Sequence, residues 1–290
     1  MIHGIITATP TPFRPDGELD EDCLRRLIEG FVAAGVHGIS VGGSQGEFYA
    51  LDHAERVRLI EVAVETVRGR VPVYAGTGAT STREAITLTR AAEQAGADVA
   101  MVITPYFIAP SPAELLAHYR KVAAATSLPV LVYTNPPRTA VTISPALWSE
   151  LAGLPNIAGI KDSSGDLSLV LGYLAAAREG VFCGRDTLAL AMLAHGAAGA
   201  ISPAACVFPE LMVAMYEQFR TGQLDAARKT ADLLLPLRQA WELGTFPVVI
   251  KEAMAMTGRD PGPARRPVAP LSTAARAALR EVVDRIGAAS

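Results

Sequence analysis

Lysine is scarce in this chain of 290 residues. Of its 26 basic residues only Lys121, Lys161, Lys229 and Lys251 are lysines, and the other twenty-two are arginines. A chain that uses arginine for nearly every solvated positive charge has few reasons to keep a lysine at the end of a buried apolar run. One reason is chemical: an amine can lose its proton and attack a carbonyl, and a guanidinium cannot. Cysteine is also rare. Cys23, Cys183 and Cys206 are odd in number, far apart and form no CxxC pair, which speaks against a disulfide framework and for a reducing, cytoplasmic setting. The net charge is -3 and no lysine-rich run exists, so neither nucleic acid nor a membrane surface is expected as a partner. The N-terminus, Met1-Ile2-His3-Gly4, lacks a basic segment followed by an apolar stretch, and no apolar run is long enough to span a bilayer. The five histidines lie apart, without HExxH spacing, so no metal site is expected. Gly76-Thr77-Gly78 lacks the third glycine of a dinucleotide fingerprint, no Walker sequence is present, and no cofactor is expected.

What the chain does have is apolar residues, at 50 %, arranged in alternation. Short β-rich runs at Ile5–Ala8, Gly38–Val41, Val71–Ala75, Val99–Thr104, Val130–Tyr133, Ala158–Lys161, Val181–Cys183 and Ala200–Ser202 are separated by longer alanine- and leucine-rich stretches. The runs are apolar throughout rather than alternating, as in a parallel sheet covered on both faces. Helix starts are marked by Asp20, by Asp52 and Ser81 with a glutamate three residues on, and by Ser111 followed by Pro112. Gly35, Gly96 and Gly196 suit left-handed helix ends. From Pro209 the pattern is helical only, over Glu210–Arg220, Leu224–Trp241, Phe246–Thr257 and Thr273–Ile286. The prediction is an α/β fold: a (β/α)8 barrel over residues 1–208, then a C-terminal helical region over 209–290.

In such a barrel the loops after the strands form the reactive face. Lys161 ends the sixth run, Tyr133 the fifth, Gly43-Ser44-Gln45 follows the second, and Arg138 stands in Asn135-Pro136-Pro137-Arg138-Thr139 after the fifth. One amine, one phenol, one guanidinium and a glycine-rich turn around one mouth suit a carbonyl substrate that bears a carboxylate. Lys161 would add to the ketone and form an iminium, and Tyr133 would carry protons. Backbone N–H groups and the Ser44 hydroxyl in the turn would hold the carboxylate, and Arg138 would grip a second acidic or oxygen-rich group, or simply anchor its loop. Asp186, after the seventh run, is grouped with the substrate-binding residues; pairing with Arg185 or another neighbour is the alternative. Glu47 reads as structural, near a helix start or paired with an internal donor. His195 lies in a helical stretch and reads as a solvated or capping residue.

Together these residues resemble the dihydrodipicolinate synthase and N-acetylneuraminate lyase family of class I aldolases. The resemblance runs from Gly4 to about Leu279. It is carried by the segment Gly43–Glu47, by Tyr133 with Asn135–Thr139, by Gly159–Gly165, by Gly184-Arg185-Asp186, by Gly196–Ser202 and by Pro247–Lys251. It implies a Schiff-base lysine at Lys161, a proton-shuttling tyrosine at Tyr133, carboxylate binding at Ser44 and Gln45, and an Ile201 carbonyl facing the bound keto acid. It further implies a homotetramer or homodimer acting on a 2-keto acid such as pyruvate and an aldehyde. Some positions depart from the synthases proper. Gln45 stands where they have a second threonine that relays protons, Phe107 resembles the tyrosine a neighbouring subunit donates, and Thr134, Ala140 and Cys206 are also changed. The expected activity is therefore a pyruvate-type aldolase or lyase. A 2-keto-3-deoxy acid dehydratase, genuine 4-hydroxy-tetrahydrodipicolinate synthase and a non-catalytic keto-acid-binding barrel are the alternatives.

Overall fold

The computed structural model describes residues 2–289. Eight strands run in parallel and close on themselves: β1 (Gly4–Ala8), β2 (Gly38–Val41), β3 (Val73–Gly76), β4 (Val99–Ile103), β5 (Val130–Thr134), β6 (Ile157–Asp162), β7 (Val181–Cys183) and β8 (Gly199–Ser202). β1 pairs with both β2 and β8, so the sheet has no edge. The (β/α)8 barrel expected from the alternation is the observed fold, and all eight runs are strands. The third starts two residues later than expected. Pro72 lacks the N–H a ladder position requires, and its carbonyl instead accepts from Ile39 N at 3.0 Å.

The apolar strands bury both faces. Inside the barrel, side chains including Ile6, Tyr74, Val99, Leu131 and Phe182 fill the space, with Tyr74 and Phe182 edge to face at 6.5 Å. This filling makes a floor, and the candidate site residues stand above it at the carboxyl ends of the strands. Outside, alternate strand residues such as Ile5, Ile39, Val102, Val132 and Ile160 meet the apolar stripes of the surrounding helices.

The helix starts follow the cap signals. Asp20 accepts from Cys23 N at 2.9 Å. Asp52 with Glu55, and Ser111 with Glu114, form reciprocal capping boxes. Ser81 accepts from Glu84 N, but the Glu84 carboxylate does not return to Ser81; it turns to His53 Nδ1 at 2.9 Å. Gly35, Gly96 and Gly196 all have positive φ after their helices. His195 is exposed and is the last residue before Gly196.

After β8, helix Pro209–Arg220 packs against β1, and helices Leu224–Gln239, Val248–Met256 and Thr273–Ala288 follow. Leu234 and Leu237 bury one side of the Leu224–Gln239 helix, and a 3₁₀ turn, Ala240–Leu243, carries the chain back over the barrel mouth. Among the described residues, no helix is long and apolar enough to cross a membrane.

Candidate active site

The pleat of a strand sends successive side chains to opposite faces. On β6 this turns Lys161 inward and Asp162 outward. Tyr133 and Lys161 are register partners on adjacent parallel strands, so both point into the barrel. The Lys161 Nζ lies 4.2 Å from the centre of the Tyr133 ring, and the two residues are 5 % and 4 % exposed. The Tyr133 hydroxyl accepts from Asn135 Nδ2 at 2.8 Å and meets Ser44 Oγ at 3.5 Å. Burial acts to raise the Tyr133 phenol. The Lys161 charge and the hydrogen bonds of Ser44, Ser163 and Asn135 outweigh it and hold the phenol below its usual value near 10. A phenol so placed gives up its proton more readily than a free tyrosine, as a proton shuttle requires.

Gly43, Ser44 and Gln45 form the opposite wall. The turn begins at Gly42, whose φ of +65° a side chain would disfavour. It fits only because β3 ends in glycine: a Cβ on Gly76 would stand 2.0 Å from the Gly42 carbonyl oxygen. The far end of the turn is fixed by Glu47. Its Oε1 lies 2.6 Å from Lys251 Nζ, both side chains being 1 % exposed, and its Oε2 accepts from Arg265 N at 2.9 Å. Lys251 also donates to the Pro263 carbonyl at 2.8 Å and stands over the Phe13 ring. Glu47 is thus anchored to an internal donor, and a buried ion pair straps the turn to the C-terminal helices. Gln45 is 3 % exposed; its Nε2 reaches the Pro247 carbonyl at 3.4 Å and its Oε1 has no protein partner.

Lys161, Tyr133, Gly43, Ser44, Gln45, Arg138 and Ile201 line one cavity of about 330 Å³. Asp186 does not. It is buried at the start of a 3₁₀ turn, where its carboxylate accepts from Ser202 Oγ and from Ala204 N, so it ties β8 to the β7 loop. Arg185 is likewise committed, donating to the Ser163 and Ser164 carbonyls at 3.2 Å. Arg138 stands in a one-turn helix, Pro136–Thr139, and its guanidinium lies over the Phe246 ring, 4.6 Å from its centre.

Sequence reasoning missed the cavity wall built from Arg238, Trp241, Phe246 and Pro247. The strand-end rule points only to residues of the barrel. Two signals pointed to that segment: Lys251 is as rare a residue as Lys161, and Pro247–Lys251 is among the carriers of the family resemblance.

Comparisons with known proteins place the whole chain in one family. Residues 1–286 match the model of the dihydrodipicolinate synthetase family. The 4-hydroxy-tetrahydrodipicolinate synthase of Methanoculleus marisnigri is 42 % identical over 288 residues, covering 98 % of this chain and 99 % of that protein. The synthase of Methanothrix thermoacetophila is 40 % identical over 289 residues, covering 99 % and 97 %. A prophage protein of the dihydrodipicolinic acid synthase family from E. coli K12, solved in complex with pyruvate, superposes with a TM-score of 0.96 at 34 % identity, covering 99 % of both chains. The chain therefore belongs to the dihydrodipicolinate synthetase family.

Proposed function

We propose that this enzyme is a Schiff-base aldolase or lyase acting on pyruvate or a close 2-oxo acid. The observation that carries the reading is the pair Lys161 and Tyr133, buried side by side in one cavity with the Gly43–Gln45 turn facing them. The free amine of Lys161 adds to the C2 carbonyl, and the carbinolamine loses water to give an iminium. The iminium draws electrons from C3, which releases a proton and becomes an enamine carbon. That carbon attacks an aldehyde, forming the C–C bond, and water then hydrolyses the iminium and returns the amine; cleavage is the same path reversed. Tyr133 carries the protons of the addition and dehydration steps, helped by the Ser44 hydroxyl at 3.5 Å. N–H groups of the turn hold the 2-oxo acid's carboxylate, and the Ile201 carbonyl faces the bound acid.

Synthases among the relatives favour 4-hydroxy-tetrahydrodipicolinate synthesis as the second reading. Against it, Gln45 has no hydroxyl to pass a proton, and Phe107 offers none either. Exposed aromatic and aliphatic side chains near the mouth, Tyr49 at 50 %, Phe107 at 98 % and Ile108 at 55 %, support a homo-oligomer, a dimer or tetramer, in which a second copy covers them. Three unpaired, buried cysteines support a cytoplasmic setting.

Borohydride reduction in the presence of pyruvate tests the reading. A stable adduct that maps to Lys161 is the expected result; an adduct elsewhere, or none at saturating pyruvate, overturns it.

A further inference from the structure

The Tyr133 hydroxyl is held from three sides. Asn135 Nδ2 donates to it at 2.8 Å, Ser44 Oγ meets it at 3.5 Å, and Ser163 is its third hydrogen-bonding partner. Asn135 and Ser163 stand in matching places. Asn135 lies two residues beyond Tyr133 of β5 and Ser163 two residues beyond Lys161 of β6, and two residues of extended chain restore the same face. Ser163 therefore faces the cavity with Lys161; it is among the lining residues and is 8 % exposed.

The rest of the fold pins this serine. Its N–H donates to the Thr134 carbonyl at 3.0 Å, and its carbonyl accepts from Arg185 Nε at 3.2 Å. The next residue, Ser164, is fixed to Asp162 through both its N–H and its hydroxyl. Behind the Ser163 hydroxyl stands Gly184, where any side chain would collide with that oxygen. The fold keeps one oxygen near the phenol and clears the space for it.

A phenol has one proton to give, and its oxygen accepts two hydrogen bonds. Asn135 fills one accepting position. The other position and the proton itself remain for two hydroxyls, Ser44 and Ser163. One can then receive from the phenol while the other gives to it, so a proton can enter Tyr133 on one side and leave on the other. Between ammonium and iminium the lysine nitrogen gives up two protons, and the ketone oxygen takes two and leaves as water. No outside acid or base is consumed, but one phenol proton cannot serve both transfers. Gln45 and Phe107 bring no hydroxyl to help. Ser44 stands on the turn that takes the carboxylate, whereas Ser163 stands on the strand of the amine.

We propose that Ser163 is a relay residue that, with Tyr133, moves protons from the Lys161 nitrogen to the departing oxygen. The inference rests on the Schiff-base reading above and deepens it.

Pyruvate alone suffices for the test. Borohydride quenching at timed intervals gives the rate of iminium formation at Lys161, and the plateau against concentration gives half-saturation. A relay speeds formation and hydrolysis alike, so its loss changes the rate and leaves the plateau. Ser163→Ala is expected to form the iminium roughly 10–100-fold more slowly, part of the contribution of placed proton transfer, with half-saturation unchanged. Ser163→Thr, which keeps a hydroxyl, should recover most of the rate. The Ser163 hydrogen bond helps to hold the phenol down, and Lys161 is the charged group that faces it. Without that bond the alkaline limb of the rate should move up by roughly 0.5–1 pH unit. A near-normal rate in Ser163→Ala, a half-saturation that worsens as much as the rate, a stationary alkaline limb, or Ser163→Thr as slow as Ser163→Ala overturns the proposal. Failure of the wild type to trap pyruvate at Lys161 would instead remove the Schiff-base reading beneath it.

Discussion

Tyr133 lies beside Lys161 in strand register, its ring centre 4.2 Å from the lysine Nζ and its hydroxyl held by Asn135. Removing the hydroxyl alone, by Tyr133→Phe, keeps the ring against the amine and takes away the proton carrier. Turnover is expected to fall by roughly 10²–10⁴-fold, while pyruvate saturation of the enzyme shifts little. Near-normal turnover in a steady-state assay would remove the shuttle role.

Arg138→Ala removes the second guanidinium of the mouth and leaves the nucleophile untouched. Trapping by a carboxylate-ended 2-oxo acid should need roughly tenfold more ligand, with pyruvate trapping unchanged. Equal losses for both would mark Arg138 as an anchor of its own loop, stacked on Phe246.

The Glu47–Lys251 pair predicts an asymmetric mutational response. Lys251→Met leaves a carboxylate buried and unpaired, at a cost of about 3–5 kcal/mol, or a melting temperature lower by roughly 10 °C. The double variant Glu47→Gln, Lys251→Met should recover much of this loss. Thermal unfolding of the four proteins decides it: a double variant as unstable as the sum of the singles would mean the two side chains do not act together.

Asp162 predicts a pH dependence of stability. Burial pushes its carboxyl up to about 6, with the hydrogen bonds from Ser164 only partly opposing. The unfolded carboxyl titrates near 4, so between these values the folded chain binds the extra proton. Its stabilising contribution is full below pH 4 and is lost as pH rises through 6. Asp162→Asn keeps an acceptor for Ser164 without the charge. It should be more stable than the wild type by about 3 kcal/mol at pH 7.5 and gain almost nothing near pH 3. A difference independent of pH, measured by denaturant unfolding, would exclude the ionised carboxylate as its cause.

Much of the fold was legible because strand and helix announce themselves locally. Runs such as Val99–Ile103 and Val130–Thr134 are apolar without interruption, and Asp52 and Ser111 mark the helices they cap. The short helices Pro136–Thr139 and Ala204–Val207 left no such trace; four residues are too few for a period, and prolines open or precede them. Lys161, Tyr133 and the turn at Ser44 were readable because strand ends in a barrel share one mouth. Arg238 and Trp241 were not, since a helix after the last strand carries them back by a path that only packing reveals. Asp186 shows the converse. It stands at a strand end, as the rule asks, yet its carboxylate is turned to Ser202 and lies outside the cavity lining.

The cavity draws Lys161 and Tyr133 from the strands and one whole wall from residues 238–250, held to the barrel through Lys251. On the reading proposed above, the nucleophile and much of the partner-facing wall then come from separate stretches of polypeptide. Exchanging the stretch around Arg238 and Phe246 for that of a relative, with the Glu47–Lys251 strap retained, is a route by which such an enzyme could acquire new aldehydes while its carbon-bond chemistry stays the same.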